Sequence, residues 1–196
     1  RHQDARVYRR YLNVLGILLT HSGRLDEAVT YFTNALGLAA SWDDTQLAGD
    51  GTMNLGVVAD IQGRWADALA SHTRALTKFL ELSDRPMIAG CYHNIGMTFR
   101  QLGMLKESQS QFELALEILE TCGRRSDVAA TALEKSLLYV QMGEFELAEA
   151  IAKVSYVEIK RGGNERLIGE ALRILGLIKL GLGETGGDHD RQLGQH

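Results

Sequence analysis

Glycine returns every 40 residues along this chain, and this period restricts the fold more than any other feature. One series consists of Gly23, Gly63, Gly103, Gly143 and Gly183. A second series consists of Gly16, Gly56, Gly96 and Gly176, with Ser136 in the remaining place. A fixed period of this length indicates stacked supersecondary units. The 21 glycines are therefore regular punctuation, which disfavours disorder along most of the chain.

Each repeat has the pattern of two helices separated by a turn. In the third repeat, apolar residues recur at helical spacing up to Leu102 and again from Leu105 onward. Gly103, between them, suits the left-handed residue that ends a helix. This pattern predicts first helices over 4–22, 45–62, 86–102, 126–142 and 165–182, and second helices over 25–40, 65–82, 105–121 and 145–161.

The glycines inside the first helices need a physical cause. Glycine in a helix interior costs about 1 kcal/mol relative to alanine. Its recurrence at one phase predicts a close approach of the first helix to the second. The small residues Ala28, Ala68 and Ala148 of the second helices are the expected counterparts.

Composition excludes several classes of function. A formal charge of −4 and a pI near 5.9 argue against nucleic acid as a partner, since such binding relies on neutralising phosphates. The longest apolar runs are too short to cross a bilayer, so no membrane partner is expected. Cys91 and Cys122 form no disulfide framework and no metal pattern. A cytoplasmic location is therefore expected.

Motifs for chemistry are weak. The string from Gly181 to Gly186 matches a dinucleotide-binding fingerprint, but that motif needs a preceding strand, and here a helix precedes it. Asp188, His189, Asp190 and His196 could offer metal ligands, but they lie in a polar, glycine-rich tail. We expect no catalytic residue, no cofactor and no metal, and hence no enzyme.

The repeated residues resemble the tetratricopeptide repeat. The first copy of the pattern consists of Leu12, Leu15, Gly16, Leu19, Gly23, Leu25, Ala28, Phe32 and Ala35. The second repeat departs from it at His72, and the fourth at Lys135 and Ser136. The 40-residue length is similar to long-repeat members such as kinesin light chain and the sensor regions of bacterial regulators.

This resemblance implies an all-α fold, a right-handed superhelical solenoid of antiparallel helix pairs. About four units and an extra C-terminal helix are expected in a single domain over 1–184. The repeats would lie near 4–43, 44–83, 84–123 and 124–163, with a partial copy at 164–184. Residues 185–196 are expected to form a disordered polar tail.

The resemblance also implies that a concave groove lined by first helices binds a protein or peptide. Carried over position by position, the groove residues are Arg10, Asn13, Asp50, Met53, Asn54, Val57, His93, Asn94, Met97, Arg100, Gln101, Leu133, Glu134, Leu137 and Arg173. The basic clamp that some family members use for carboxylates is not reproduced, because Met53 and His93 occupy its positions.

Two roles are open for the asparagines Asn54 and Asn94, which lie one repeat apart. Their amides could hydrogen-bond the backbone of a bound peptide, since an amide offers both donors and an acceptor. They could instead bond between helices of the scaffold, as buried amides usually do.

The last helix is apolar nearly all round. We expect either that the chain is a fragment of a longer protein or that another chain covers Leu175, Ile178 and Leu182, which would be self-association through this helix. The leading hypothesis for function is a protein- or peptide-binding scaffold. The alternative is the ligand- or partner-sensing region of a larger bacterial regulator.

Overall fold

The computed structural model describes the backbone of residues 2–193 and the side chains of residues 7–8 and 11–183. In this part of the chain, all regular elements are helices: α1 (His2–His21), α2 (Leu25–Trp42), α3 (Thr45–Ile61), α4 (Trp65–Leu82), α5 (Arg85–Gln101), α6 (Leu105–Thr121), α7 (Arg125–Met142), α8 (Phe145–Gly162) and α9 (Glu165–Leu193). The predicted all-α fold of helix pairs is confirmed. The first eight helices match their predicted bounds to within two residues.

The helices form two compact units, Arg1–Gly103 and Met104–His196. In the first unit, consecutive helices from α1 to α5 pack on one another, and the first helices of neighbouring repeats also touch, α1 with α3 and α3 with α5. In the second unit, α6 to α9 pack consecutively and α7 touches α9. The single domain expected over 1–184 stays a prediction.

The turn inside each repeat is made by glycine in the left-handed conformation. Gly23, Gly63, Gly103 and Gly143 have φ angles of 76°, 71°, 74° and 79°. A side chain is strained at such angles, whereas glycine is not. The first glycine series is thereby explained up to its fourth member.

A second turn, between repeats, also recurs every 40 residues. Its left-handed residues are Asp43, Ser83, Gly123 and Gly163. The next residue caps the following helix where it carries an acceptor: the Asp44 carboxylate accepts from the Leu47 amide and the Asp84 carboxylate from the Met87 amide. Such caps satisfy amides that the first helical turn leaves unpaired.

The fifth turn, predicted at Gly183, is wrong, because α9 continues through this residue to Leu193. A turn would be favoured by a second helix folding back onto α9. The residues after Gly183 begin Glu-Thr-Gly-Gly-Asp and carry no apolar face for such packing. The backbone instead satisfies its hydrogen bonds locally as a helix. No helix among the described residues combines the length and apolar character needed to cross a membrane.

Large side chains, and not the predicted alanines, are the nearest neighbours of the glycines inside the first helices. The Phe32 ring of α2 lies against Gly16, in space that a Cβ would occupy. In the next repeat, a Cβ on Gly56 would lie 2.5 Å from the His72 ring of α4. The counterpart is therefore the residue four positions after Ala28 or Ala68. Close approach was predicted correctly, but the contacting residue was not.

The fourth repeat has two small residues at the equivalent positions. Ser136 of α7 replaces the glycine, and Ala152 of α8 replaces the aromatic residue. Both are fully buried, and the Ser136 hydroxyl donates to the Leu133 carbonyl at 2.6 Å. In α9, a Cβ on Gly176 would meet no atom within 4 Å, and Gly181 instead lies against the Phe145 ring. The expectation of close approach at Gly176 is therefore wrong.

We predict that Gly56→Ala destabilises the protein although alanine is the better helix former. The added Cβ would overlap the buried His72 ring, and such overpacking costs about 1–3 kcal/mol. The matched control is Gly37→Ala in the interior of α2, where a Cβ meets nothing within 4 Å. It should stabilise by up to about 1 kcal/mol. Urea denaturation measures the free energy of unfolding of both variants. Changes of equal size and the same sign would contradict the contact between Gly56 and the His72 ring.

Candidate functional site

The predicted groove residues of the first unit lie on three neighbouring first helices. We call the following the first-helix face: Asn13 of α1; Asp50, Met53, Asn54 and Val57 of α3; and His93, Asn94, Met97 and Arg100 of α5. All nine side chains are half-buried, so each keeps some surface in contact with solvent. Gln101, the last residue of α5, is exposed.

Asn54 has a partner within the scaffold. Its Nδ2 donates to Asn13 Oδ1 at 2.5 Å, joining α3 to α1. The scaffold role considered for the asparagines therefore holds for Asn54. Because a carboxamide has two donors and an acceptor oxygen, this bond uses only part of its capacity.

Asn94 differs from Asn54. Its main-chain carbonyl oxygen lies 3.0 Å from the Thr98 hydroxyl, but its carboxamide makes no hydrogen bond to any residue whose side chain is described. The buried, unpaired side-chain atoms of the described residues do not include this amide, so it is in contact with solvent. Asn94 is thus the asparagine that is free to bond a ligand.

Sulfur atoms join α3 to α5 beneath this face. The Cys91 thiol lies 3.9 Å from Met53 Sδ, and the Cys91 side chain is fully buried. Burial raises the pKa of the Cys91 thiol to about 12, because the thiolate is poorly solvated there. Cys91 is therefore an inert packing group that supports Met53 and not a nucleophile.

A buried polar network lies beside Asn94, and sequence analysis missed it. Asp60 of α3 receives the His72 Nε2–H of α4 at 2.8 Å, and the Thr98 hydroxyl of α5 lies 2.8 Å from its other oxygen. His72 and Thr98 are fully buried, and Asp60 is 16% exposed. Since Thr98 also contacts the Asn94 carbonyl, the network fixes α5 beside α3. A histidine in an aromatic position was the available signal.

Four charged or titratable members of the predicted set already interact with other groups of the chain: Asp50, His93, Arg100 and Glu134. Asp50 also accepts a hydrogen bond from Gln46 at 3.2 Å. Their first role is consequently structural. The apolar and amide members of the face are better candidates for contacting a ligand.

The second unit contains four of the predicted groove residues, and one prediction is corrected. Leu133 is 1% exposed and belongs to the core that Ala148, Ile159 and Ile174 share, so a partner cannot reach it. The transfer of groove positions from the other repeats fails here, because Leu133 packs in the same buried cluster as Ala152. Glu134 and Leu137 are half-buried and Arg173 is exposed. The side chain of Arg10, predicted for the first unit, lies outside the described residues.

The apolar surface of α9 also differs from expectation. Ile178 is fully buried, and Leu175 and Leu182 pack against the core of the second unit, so the chain itself covers all three. Among the side chains of α9 that the structure describes, the exposed leucines are Leu172, Leu177 and Leu180, at 51%, 42% and 67%.

The second unit contains a cavity of about 500 Å³ away from the predicted groove. Its apolar wall comprises Val128, Ala129, Ala132 and Val154, while Glu120, Arg124, Arg125 and Glu158 surround it. None of the predicted groove residues lines it. The volume falls within the range of small-ligand sites, roughly 300–1,000 Å³.

Two weak sequence motifs can now be placed. The glycine string that begins at Gly181 lies within α9, so no strand precedes it. The side chains of Asp188, His189, Asp190 and His196 lie outside the described residues, as do those of the whole predicted tail, 185–196. Within the described part, no group of three or more acidic, histidine or cysteine side chains could hold a metal ion.

Comparison with protein families gives one match. The model of the tetratricopeptide repeat matches residues 7–81 and 49–121, which together span more than half of the chain. A search of curated proteins found no match.

Solved structures share this fold at low sequence identity. BtubC (BKLC) from P. vanneervenii is 20% identical, with a TM-score of 0.71 over 88% of this chain and 72% of that protein. A Rap protein complexed with competence and sporulation factor is 17% identical, with a TM-score of 0.72 over 88% of this chain and 54% of that one. A signal transduction ATPase with a tetratricopeptide repeat sensor, from Pyrococcus horikoshii, is 14% identical, with a TM-score of 0.70 over 85% and 26%. At these identities the likeness establishes the fold alone.

We predict that Asp60→Ala is strongly destabilising. It removes the acceptor of the buried His72 ring and leaves Thr98 with the Asn94 carbonyl only, at an expected cost of about 1–3 kcal/mol. Asp67→Ala is the control, since Asp67 forms an exposed ion pair with Arg64 and should matter little. Chemical denaturation gives the free energy of unfolding of both variants. If both lost a similar, small amount, the buried network would not stabilise the fold as proposed.

We also predict that iodoacetamide at pH 8 modifies Cys122, which is half-buried, and spares Cys91 until the protein unfolds. The pKa of Cys91 is raised in the folded state, so folding favours the thiol. The contribution of Cys91 to the free energy of unfolding should therefore be fully present below pH 9 and should decline as the pH rises toward 12. Mass spectrometry of labelled peptides reads the result. Rapid labelling of native Cys91 would show that its burial is wrong.

Proposed function

Because this chain belongs to the tetratricopeptide repeat family, we propose that it is a non-catalytic scaffold that binds a peptide segment of a partner protein on the first-helix face. Asn94 and the apolar side chains around it form the centre of this site. The peptide's main chain bonds the Asn94 amide, and its apolar side chains pack on Met53, Val57 and Met97.

The observation that supports this proposal best is the state of the Asn94 amide. The equivalent amide one repeat earlier, Asn54, is engaged by Asn13. Asn94 is half-buried and its carboxamide has no such partner among the described side chains. The main chain of a bound peptide supplies both a donor and an acceptor, and these are the two kinds of hydrogen-bond partner that the Asn94 carboxamide lacks.

Met53, Val57 and Met97 suit the same role. All three are half-buried on helices that touch each other, α3 and α5. Methionine is unbranched and polarisable, and it adapts to irregular apolar partners. The face therefore suits an apolar segment held by few polar bonds. The Rap structure named above contains competence and sporulation factor, which lends support by analogy of fold.

A second candidate function is the sensing region of a larger regulator, which a small ligand or a partner controls. The chain corresponds to about half of the Rap protein and 26% of the signal transduction ATPase, whose repeats are described as a sensor. The cavity of the second unit offers a place for a small ligand in this case.

Self-association of the chain is also retained as a proposal, and α9 is one candidate surface for it, with a changed set of residues. Leu175, Ile178 and Leu182 face the chain's own core. A contact with another chain would use Leu172, Leu177 and Leu180, which are exposed.

We predict that Asn94→Ala weakens peptide binding without unfolding the protein. The probe is a set of 12-residue peptides selected from a random phage-displayed library on the wild-type chain. Loss of the amide should weaken their binding about tenfold, since a well-placed hydrogen bond contributes about 0.5–1.5 kcal/mol. Fluorescence anisotropy of labelled peptides gives the dissociation constants.

The control is Asn34→Ala, because Asn34 is exposed on α2 and lies outside the first-helix face. It should leave the binding of the selected peptides unchanged. A library that yields no binder, or binders indifferent to Asn94→Ala, would exclude this site. If a metabolite panel then raised the melting temperature, the sensing function would take precedence.

A further inference from the structure

The outward face of α8 is apolar, unlike that of every other second helix. Its solvent-facing positions are Leu147, Ala150, Val154 and Val157, and all four are exposed. The equivalent positions are also exposed in the other repeats: Glu27, Thr30, Asn34 and Gly37 in α2; Asp67, Ala70, Arg74 and Thr77 in α4; and Glu107, Ser110, Leu114 and Glu117 in α6. We call the four residues of α8 the α8 stripe.

The fold does not require apolar residues at these positions. The other three second helices form the same turns and pack on the same neighbours with mostly polar residues there. Within the α8 stripe, Val154 is 69% exposed, Val157 47% and Leu147 44%. Exposed apolar residues that share one face and that the fold does not need indicate a surface that a partner covers.

Two other groups of exposed apolar residues, on α1 and on α9, have a simpler origin. Those of α1, such as Val7, Val14 and Leu18, and the leucines of α9 belong to the first and last helices of the stack. In the described part of the chain, α1 packs only on helices that follow it, α2 and α3, and α9 only on helices that precede it, α7 and α8. In contrast, α8 packs against both α7 and α9 and still exposes the stripe. The stripe is therefore the stronger sign of a partner.

The spacing of the stripe fits a helical partner. Its residues are separated by three, four and three positions, which is the seam of a two-helix coiled coil. Val154 also lines the cavity of the second unit, together with Val128, Ala129 and Ala132. The apolar surface thus continues from the stripe into a recess beside it.

The charges along α8 favour a second copy of α8 as the helical partner, and they favour an antiparallel orientation. Glu146 lies in the first turn and Lys160 in the last, and both are exposed. Helical spacing places them on the same flank of the stripe. A second α8 running antiparallel brings Glu146 of each copy to Lys160 of the other, which makes two opposite-charge pairs. A parallel copy would not bring Glu146 to Lys160.

The same antiparallel register brings Lys153 of one copy opposite Lys153 of the other, and the ion pair that each Lys153 makes within its own helix offsets this like-charge contact. Lys153, near the middle of α8, is paired with Glu149 at 2.8 Å. Arg161 is paired with Glu158. We propose that this chain forms a two-fold symmetric dimer in which the α8 stripes of two copies pack antiparallel. The α8 stripe and the first-helix face share no residue, so the dimer and peptide binding are tested by different variants.

This interface is one helix long, so the dimer should be weak and should depend on concentration. Interfaces that bury less than roughly 1,200 Å² belong to transient complexes. Sedimentation equilibrium of the full chain should give 21.6 kDa at low concentration. The mass should rise toward twice this value between about 1 and 500 μM, the range of a weak interface. A 21.6 kDa species throughout would overturn the proposal.

The first variant replaces the α8 stripe with polar residues that occupy the equivalent positions of other second helices. Its substitutions are Leu147→Glu, Ala150→Ser, Val154→Asn and Val157→Glu. We expect at least a hundredfold weaker association and unchanged helicity by circular dichroism. Two controls leave the stripe intact: Leu114→Asn at the equivalent position of α6, and Leu172→Gln with Leu180→Gln on α9. Both should dimerise as the wild type does. If the α9 control lost association while the variant with the substituted α8 stripe kept it, the proposal would be overturned.

Charge reversal tests the direction of the pairing. Lys160→Glu and Glu146→Lys should each weaken the dimer about tenfold, because each converts two attractive pairs into two repulsive ones. The double variant restores opposite charges only in the antiparallel arrangement, and should recover the wild-type constant. A double variant weaker than either single variant would overturn the antiparallel dimer.

Discussion

The fold depends on one contact that recurs between the two helices of a repeat. A residue without a side chain on the first helix admits a ring from the second, as Gly16 admits Phe32 and Gly56 admits His72. The helix loses about 1 kcal/mol of propensity at each such glycine. Burial of an aromatic side chain returns more, since fully burying one contributes about 1.5–3 kcal/mol. In the fourth repeat, two small residues, Ser136 and Ala152, occupy the equivalent positions, and both are fully buried.

Sequence periodicity predicted much of this fold, because a constant period identifies equivalent residues. It located eight helices to within two residues and four left-handed turn glycines. It did not identify which residue meets which across two helices, since that depends on how the helices cross. Hence Ala28 was expected where Phe32 lies, and Leu133 was expected in a groove although it is in the core. The end of α9 was missed because the signal of a turn glycine is meaningful only when a second helix follows.

Candidate function lies where the repeats stop being equivalent. In the second repeat, a histidine in the aromatic position brings with it Asp60 and Thr98, and this network positions α5 and Asn94. Asn54 and Asn94 occupy equivalent positions, yet only Asn54 is bonded to a neighbouring first helix. In the fourth repeat, the outward face of α8 becomes apolar. A regular scaffold makes each of these departures visible, because its other copies show what the fold alone requires.

The contact between the small residue and the ring is tested most directly by a double-mutant cycle in the first repeat. Gly16→Ser and Phe32→Ala, singly and together, transfer the combination of the fourth repeat to the first. We expect the double variant to be more stable than the sum of the single effects predicts by about 1–3 kcal/mol, because Phe32→Ala removes the ring that a side chain at Gly16 would overlap. Free energies of unfolding from urea titration give the coupling. Additivity within about 0.5 kcal/mol would mean that the two residues do not share this space, and would contradict the account.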